Sequence, residues 1–249
     1  NGTGQYAITQ PEIYFGDAPS GWVILNSNHD EFSGLDASSD SMRYQGSPVG
    51  GIQLGNFFKR MILGSYLSDR NTVLSSAISG DSILVINRSV RDRIGQLTPF
   101  LTLDNDPYLI ISDGKLYWIV DAFTTSNDYP AAQNWGGLNY IRNSVKIVVD
   151  AYSGDVQYYR TDTSDPIADA YAKMYKGLFH PVSEAPAGIA GHFRYPQTLF
   201  DIQSRVYATA HVPNSTAYYK GEDLWAIATE TVDAQTDPMD PYFYSIGLP

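Results

Sequence analysis

Two aspartates inside apolar strands are the residues of this chain best suited to chemistry. The segment around Asp121, Ile-Val-Asp-Ala-Phe, recurs around Asp150 as Val-Val-Asp-Ala-Tyr. An unpaired carboxylate in such a strand is costly. If the two strands are neighbours, the paired carboxylates shift each other's pKa and could perform acid–base work or hold a metal. Alternatively, each Asp accepts backbone N–H bonds or pairs with nearby Arg142 or Lys146.

A second acidic group precedes the first predicted hairpin. Asp104 and Asp106 flank Asn105 and lead into Pro107. Closely spaced oxygen donors suit a hard cation, and Ca²⁺ is the one cofactor that the sequence suggests. The Gly and the distal Glu of an EF-hand loop are absent, and Asp and Asn also start turns before Pro. A Ca²⁺ site and a simple turn therefore both remain open.

Aromatic residues supply the third candidate site. The chain has 19 Tyr, which serve either as strand formers or as a rigid, hydrogen-bonding surface. Tyr218, Tyr219 and Trp225 lie close to Glu222 and Asp223, so this set could stack on a sugar. Packing at the core and its rim is the alternative for the same rings.

Composition excludes several classes of function. The net charge of −11 opposes binding to nucleic acid, and we expect Arg88, Arg91 and Arg93 to lie on a solvated helix face. Without cysteine there are no disulfides or thiolate sites. No apolar run approaches the roughly 20 residues of a membrane span. The start lacks Met and a signal-peptide pattern, so we expect a part of a longer protein. No nucleophile elbow, phosphate loop or dinucleotide fingerprint occurs.

The predicted elements are strands in runs followed by helices in runs. Asp113-Gly114 is a strong two-residue hairpin signal. The pattern indicates an α+β fold, an antiparallel sheet of hairpins with helices packed on it, and the repeat allows two similar halves. We expect one region over 1–249, with a subdivision into 1–105 and 106–249 as an option. Predicted strands are 12–16, 22–26, 82–87, 108–112, 115–124, 140–151, 156–161, 224–231 and 242–248; predicted helices are 54–67, one capped by Ser89, one capped by Asp165 and one opened by Pro196.

Several stretches resemble a large bacterial family. They include Pro-Phe-Leu-Thr-Leu-Asp-Asn-Asp-Pro at 99–107 and Asp-Gly-Lys-Leu-Tyr-Trp-Ile-Val-Asp-Ala-Phe at 113–123. Further matching stretches are 11–16, 63–76, 91–94, 139–146, 149–154, 177–179, 194–196 and 219–225. They resemble uncharacterised protein family 0182, multi-pass membrane proteins of unknown function. The resemblance implies a bacterial cell membrane protein, with this chain as the first part of an extracytoplasmic portion. It carries over no site residues.

The sequence leads to three hypotheses of function. The first is a non-enzymatic, extracytoplasmic binding module whose partner is an envelope protein or a glycan, with the membrane reached through a region outside this chain. The second is an enzyme or a Ca²⁺-dependent site that uses Asp121 and Asp150, or Asp104 and Asp106. The third is an assembly domain that pairs through sheet edges. An exposed aromatic groove favours the first hypothesis, and carboxylates that converge in an open cleft favour the second. The oligomeric state is left open.

Overall fold

The computed structural model describes residues 7–18, 21–29, 43–69, 71, 75–134 and 136–243. Within these residues the chain forms eleven strands and six α-helices. The strands are β1 Val23–Leu25, β2 Ile52–Gln53, β3 Ile83–Val85, β4 Thr102–Leu103, β5 Tyr108–Ser112, β6 Lys115–Ser126, β7 Tyr140–Asp150, β8 Val156–Arg160, β9 Phe179–Pro181, β10 Thr229–Val232 and β11 Gln235–Pro238. The helices are α1 Phe57–Tyr66, α2 Val90–Leu97, α3 Pro166–Met174, α4 Ala187–Ala190, α5 Gln197–Ala210 and α6 Ser215–Lys220.

The main sheet has six strands in the order β4-β6-β7-β8-β9, with β5 also paired to β6. Only the β8–β9 pairing is parallel. Asp113 and Gly114 both have positive φ, 49° and 75°, which makes the two-residue turn that the sequence predicted between β5 and β6. The predicted α+β fold is therefore confirmed. Both copies of the repeated segment belong to this one sheet, on the adjacent strands β6 and β7.

Alternating residues of β6 and β7 fill two apolar layers on opposite faces of the sheet, because side chains in a strand point to the two faces in turn. One layer joins the sheet to α2 through Val90 and Ile94. The other joins Ile119 of β6 and Val148 of β7 to Ile189 of α4. Burial of the sheet on both faces explains why its central strands read as nearly continuous apolar runs.

A smaller sheet, in the order β1-β3-β2, covers a second core. In this core, Leu25 of β1 and Val85 of β3 pack against Phe15. The predicted helix over 54–67 forms as α1, and the Asn56 side chain caps it by accepting from the backbone N–H of Phe58. However, most of the apolar stripe that predicted this helix faces outward.

Some predicted elements form differently. Residues 12–16 make only a single bridge, from Gly16 to Ser89, and no strand. Near the C-terminus, Asp233 and Ala234 both have positive φ and form a two-residue turn, so that β10 and β11 pair as a hairpin. Of the predicted strand 224–231, only the residues from Thr229 onward form a strand. Residues 242–243 are not in a strand, and 244–248 lie outside the described residues.

The subdivision at residue 105 stays a prediction. Helix α2 and strand β4 both precede that residue, yet α2 packs on the main sheet and β4 pairs with β6. No helix of the described part is both long and apolar enough to span a bilayer.

Candidate functional site

Asp121 lies opposite Lys146 on the paired strands β6 and β7. Both side chains are buried, at 3% and 5% exposure. The Lys146 ammonium donates hydrogen bonds to the Asp121 carboxylate and to the backbone carbonyl of Arg194, in the segment that leads into α5. The alternative in which Asp121 pairs with a basic residue is therefore the one that the structure shows.

Burial sets the electrostatics of this pair. It raises the pKa of Asp121, and the positive charge of Lys146 opposes that rise. Burial likewise lowers the pKa of Lys146, opposed by the charge of Asp121. The two pKa values thus move toward each other. In such a buried pair each charge compensates the other. Removing one partner therefore lowers the free energy of unfolding by much more than the intact pair contributes to it.

Asp104 joins this buried pair. Its backbone N–H donates to the Asp121 carbonyl oxygen at 2.8 Å, because β4 runs beside β6. Its carboxylate is buried and accepts from the Thr198 hydroxyl, in the first turn of α5, and from the Asn105 backbone N–H at 2.7 Å. We call Asp104, Asp121 and Lys146 the buried anchor, because together they attach the start of α5 to the main sheet.

Asp150 lies away from the buried anchor. Its register partner on β6 is Tyr117, four residues before Asp121. Its carboxylate accepts from the backbone N–H groups of Tyr152 at 2.9 Å and Ser153 at 2.8 Å, in the turn after β7. The structure therefore does not bring Asp121 and Asp150 together. The motif lies in the middle of β6 but at the end of β7, so the antiparallel register places the two Asp at different heights in the sheet.

Asp106 is exposed, whereas Asp104 points into the protein. The two carboxylates therefore do not form the paired site that their spacing suggested. Among the described residues there is no group of three or more His, Asp or Glu that could hold a metal ion. The Ca²⁺ hypothesis gains no support from this geometry and stays a prediction.

Asp165 is a buried carboxylate whose full role the sequence did not indicate. It caps α3, as predicted, by accepting from the Ile167 N–H at 3.0 Å. It also accepts hydrogen bonds from the hydroxyls of Thr124, Ser144 and Tyr140. Although burial opposes its charge, these hydrogen bonds hold the pKa of Asp165 below its usual range. Thr124 on β6 and Ser144 on β7, two small hydroxyl residues within apolar strands, were the sequence signal that could have indicated a buried polar partner.

Arg93 of α2 also differs from the sequence expectation of a solvated face. Arg93 is buried, donates to the carbonyls of Gly154 and Val49 at 2.8 and 2.7 Å, and lies 4.8 Å from the ring centre of Phe15. It joins the smaller core to the turn after β7. The helical spacing of three basic residues did not reveal that one of them points inward.

Trp225 packs against the end of α5. Its ring stacks on His211 with centroids 3.9 Å apart and meets Tyr207 edge-on at 5.8 Å. Its backbone N–H donates to the Ala208 carbonyl at 3.1 Å. Despite these contacts Trp225 is 56% exposed and Tyr207 is 60% exposed. Trp225 therefore presents a fixed ring to solvent.

Tyr218 and Tyr219 lie on α6, a short helix that Asn214 caps and Gly221 ends with φ 68°. Tyr219 is 91% exposed. Among the described residues no ring contact joins either tyrosine to Trp225. The predicted three-ring platform is thus not assembled, and Trp225 instead continues a strip of rings along α5.

A groove extends this strip toward the start of α5. It has a volume of about 220 Å³ and runs between the first turn of the helix and residues 241–243. A neighbouring hollow of about 260 Å³ shares Phe200 and Tyr242 with it. Phe200, Tyr207 and His211 recur at helical spacing, so they lie on one side of α5. We call this surface the aromatic face, defined by Phe200, Tyr207, Trp225, Tyr242 and Phe243.

The buried anchor and the aromatic face are connected. The Arg194 guanidinium lies 4.1 Å from the ring centre of Tyr108 and 5.2 Å from that of Phe243. The Tyr108 hydroxyl donates to the His192 carbonyl at 3.1 Å and accepts from the Arg194 N–H at 3.2 Å. The main sheet therefore fixes the segment that leads into α5 and lines the groove. Arg194 and the residues of the buried anchor hold this segment in place.

Comparison with known proteins decides the family. The sequence matches the family described as an uncharacterised protein family, UPF0182, over residues 1–249. A UPF0182 protein of Clostridium botulinum (strain Loch Maree / Type A3) is 42% identical over 245 residues.

The chain belongs to the UPF0182 family.

Other relatives come from different bacteria. A UPF0182 protein of Pelotomaculum thermopropionicum is 39% identical over 244 residues, and one of Alkaliphilus metalliredigens is 40% identical over 248 residues. No solved structure matches this chain. The family predicted from the sequence is confirmed, and the names of these relatives state no activity, which agrees with the prediction of an unknown function.

This UPF0182 chain spans about a quarter of the length of the curated relatives that it matches. The match covers 97% of the chain but only 27% of the Clostridium protein and 26% of the other two. Most of each relative therefore lies outside the region described by the structure.

Proposed function

We propose that this region is an interaction module of a bacterial membrane protein, bound through its aromatic face to another polypeptide of the cell envelope. One observation carries the proposal: large rings along α5 are held in place yet remain exposed. Phe200 and Phe243 are both more than half exposed, and Tyr242 is 73% exposed. Extracytoplasmic location and attachment to the membrane through a region outside these 249 residues belong to the same proposal.

The composition of the aromatic face favours a binding surface. Tyr, Trp and Phe are enriched at protein interfaces, where a few such rings supply most of the binding energy. Rings that are already fixed lose little conformational entropy on binding. Here Trp225 is held by His211, and Phe243 by Arg194. The face is therefore preorganised by contacts that leave its outer side open.

The chemistry of the surroundings favours a polypeptide over a glycan. Sugar stacking needs an open ring face beside polar groups that bind hydroxyls, whereas one face of Trp225 is occupied by His211. The two hollows are lined mainly by rings and the apolar Ile227, Met239 and Pro241, and their polar residues are Gln197, Asp201, Ser204 and Asp240. We therefore expect a partner with apolar side chains at the centre and Lys or Arg at the rim.

Site-specific photocrosslinking in living cells tests the proposal. The full-length protein carries p-benzoylphenylalanine in place of Tyr207 and, as a matched control, in place of Tyr129. Tyr129 is 51% exposed, lies in the loop between β6 and β7, and is not part of the aromatic face. We expect a discrete protein adduct from position 207 and little or none from position 129.

The outcomes separate the alternatives. A protein adduct at position 207 that disappears on a Phe200→Glu change supports the aromatic face as the contact. An adduct to saccharide material would favour the glycan hypothesis instead. Equal yields at positions 207 and 129, or none at either, would contradict the proposal.

A further inference from the structure

A second exposed apolar surface lies on α1, in a different part of the chain. Phe57, Phe58, Met61, Ile62 and Tyr66 are between 47% and 74% exposed. Monomeric proteins rarely expose so many large apolar side chains together without a use for them. We call these five residues the α1 face.

The α1 face points directly away from the protein. The opposite side of the helix, formed by Leu63, Gly64 and the capping Leu67, packs on the core around Leu54 and Leu84. Successive residues in a helix are about 100° apart, so the five exposed residues span roughly half of the helix circumference. These side chains project from the outer side of a helix, which suits a broad, soft partner better than an inserted side chain.

The stretch of chain that contains α1 is basic, whereas the whole chain is acidic. Residues 41–68 contain no Asp or Glu but include Arg43, Lys59 and Arg60, although the net charge is −11. Lys59 is exposed, next to the apolar side chains. An apolar helix face with a basic residue, Lys59, at its margin matches the headgroup and acyl boundary of an anionic lipid bilayer.

We propose that the α1 face lies on the surface of an anionic lipid bilayer, with its apolar side chains at the acyl boundary and Lys59 at the headgroups. A second copy of this chain is a poorer occupant, because residues 41–68 offer no Asp or Glu that could pair with Lys59 of the other copy. The inference rests on the membrane attachment proposed above and adds which surface of the region meets the lipid.

Spin labelling of the reconstituted full-length protein tests this proposal. These 249 residues contain no cysteine, so Ile62→Cys introduces one reactive thiol here, with cysteines elsewhere in the protein replaced by Ser. Ile62 is 65% exposed, so the change does not disturb the core. Accessibility of the nitroxide to oxygen and to a neutral nickel chelate gives its depth, in bilayers of phosphatidylglycerol with phosphatidylcholine or of phosphatidylcholine alone.

Each outcome decides the matter. We expect a label that oxygen reaches and nickel does not, only in the anionic bilayer, while a label at Tyr129→Cys remains open to nickel. The proposal would be overturned if the nickel chelate reached the label at residue 62 in both bilayers. It would also be overturned if neither reagent reached the label because protein covers it, or if the label lay at the same depth in both bilayers. Liposome flotation reports membrane attachment separately, so its failure is distinguishable from failure of the α1 contact.

A charge variant gives a second readout. Lys59→Gln removes the exposed positive charge and leaves the α1 face intact. A basic residue near an anionic surface contributes on the order of 1 kcal/mol, so the ratio of immersed to free label should fall about fivefold in the anionic bilayer. No change in that ratio would contradict the role assigned to Lys59.

Discussion

The interior of the main sheet and the outer side of α5 are both rich in aromatic residues, but they use them differently. In the sheet, Tyr108 and Tyr158 are buried, and the hydroxyl of each has a hydrogen-bond partner. Desolvation raises the pKa of Tyr108 to about 12. On α5, Tyr207 keeps more than half of its surface exposed although its ring contacts Trp225.

This difference separates residues that hold the fold from residues that are available for binding. A buried ring contributes through area removed from water and through its hydroxyl partner, so its loss is felt in stability. An exposed ring contributes little to the free energy of folding. We propose that its use lies in a contact outside the described region, and the comparison can be tested by changing residues of each kind.

The largest effect is expected in the buried anchor. Lys146→Met leaves Asp121 and Asp104 without a compensating charge inside the protein, and should lower the free energy of unfolding by about 3–5 kcal/mol. Urea denaturation followed by circular dichroism measures the loss. The double variant Asp121→Leu/Lys146→Met should recover part of it, because the Asp121 charge is removed as well, and Asp104 keeps its hydrogen bonds from Thr198 and Asn105. A double variant less stable than Lys146→Met would contradict this account.

A smaller but still large effect is expected at Gly154, beside the core aromatic Phe15. Gly154 has φ 72°, and a Cβ there would lie 2.5 Å from the Phe15 ring. Gly154→Ala should therefore cost about 2–4 kcal/mol, from overpacking together with left-handed strain. Gly136→Ala is the matched control, since its φ is 59° but no atom lies within 4 Å of the added Cβ. Equal losses for both variants would show that the contact with Phe15 does not matter.

Asp165 gives a pH-dependent effect of intermediate size. Asp165→Asn should cost about 1–3 kcal/mol at pH 7, because the hydroxyls of Thr124 and Ser144 lose a charged acceptor. The folded pKa of Asp165 is below its unfolded value of about 3.9. Its contribution is therefore present above that unfolded value and is lost as the pH falls through the folded pKa. The difference between wild type and variant should shrink in urea titrations below about pH 4; a constant difference would refute the assignment.

The smallest effect on stability is expected on the aromatic face. Tyr207→Ala removes a ring that is mostly exposed, so the free energy of unfolding should change by no more than about 1 kcal/mol. Tyr158→Ala, in the sheet interior, should cost about 3–5 kcal/mol. Thermal and urea unfolding of the two variants compare the regions directly. A loss at Tyr207 as large as that at Tyr158 would remove the distinction between them.

Local signals predicted much of the fold. The Asp113-Gly114 turn, the Asp165 cap and the Ser89 cap of α2 are each set by short-range backbone chemistry, and all three form as expected. The stripe of α1 correctly predicted a helix. It did not predict which side of the helix faces the protein, because the spacing of apolar residues does not show which part of the protein packs on them.

The candidate site depended on long-range geometry and was harder to predict. The apolar run around Asp121 indicates a buried carboxylate, but the sequence leaves open whether Arg142 or Lys146 is its partner. The contact between Asp104 and Asp121 depends on β4 running beside β6, which no local pattern encodes. The exposure of the rings on α5 likewise depends on how the chain after residue 225 packs, so composition alone could not separate Tyr207 from Tyr158.

Hydroxyl-radical footprinting of the full-length protein in native envelope membranes tests the central claim most directly. Tyr242 is 73% exposed in this structure and Tyr129 is 51% exposed, so an uncovered aromatic face would oxidise faster at Tyr242 than at Tyr129. If the aromatic face binds a partner, the order reverses, and Tyr242 and Tyr207 are both oxidised more slowly than Tyr129. Oxidation of Tyr242 and Tyr207 at rates equal to or above that of Tyr129 would contradict the account.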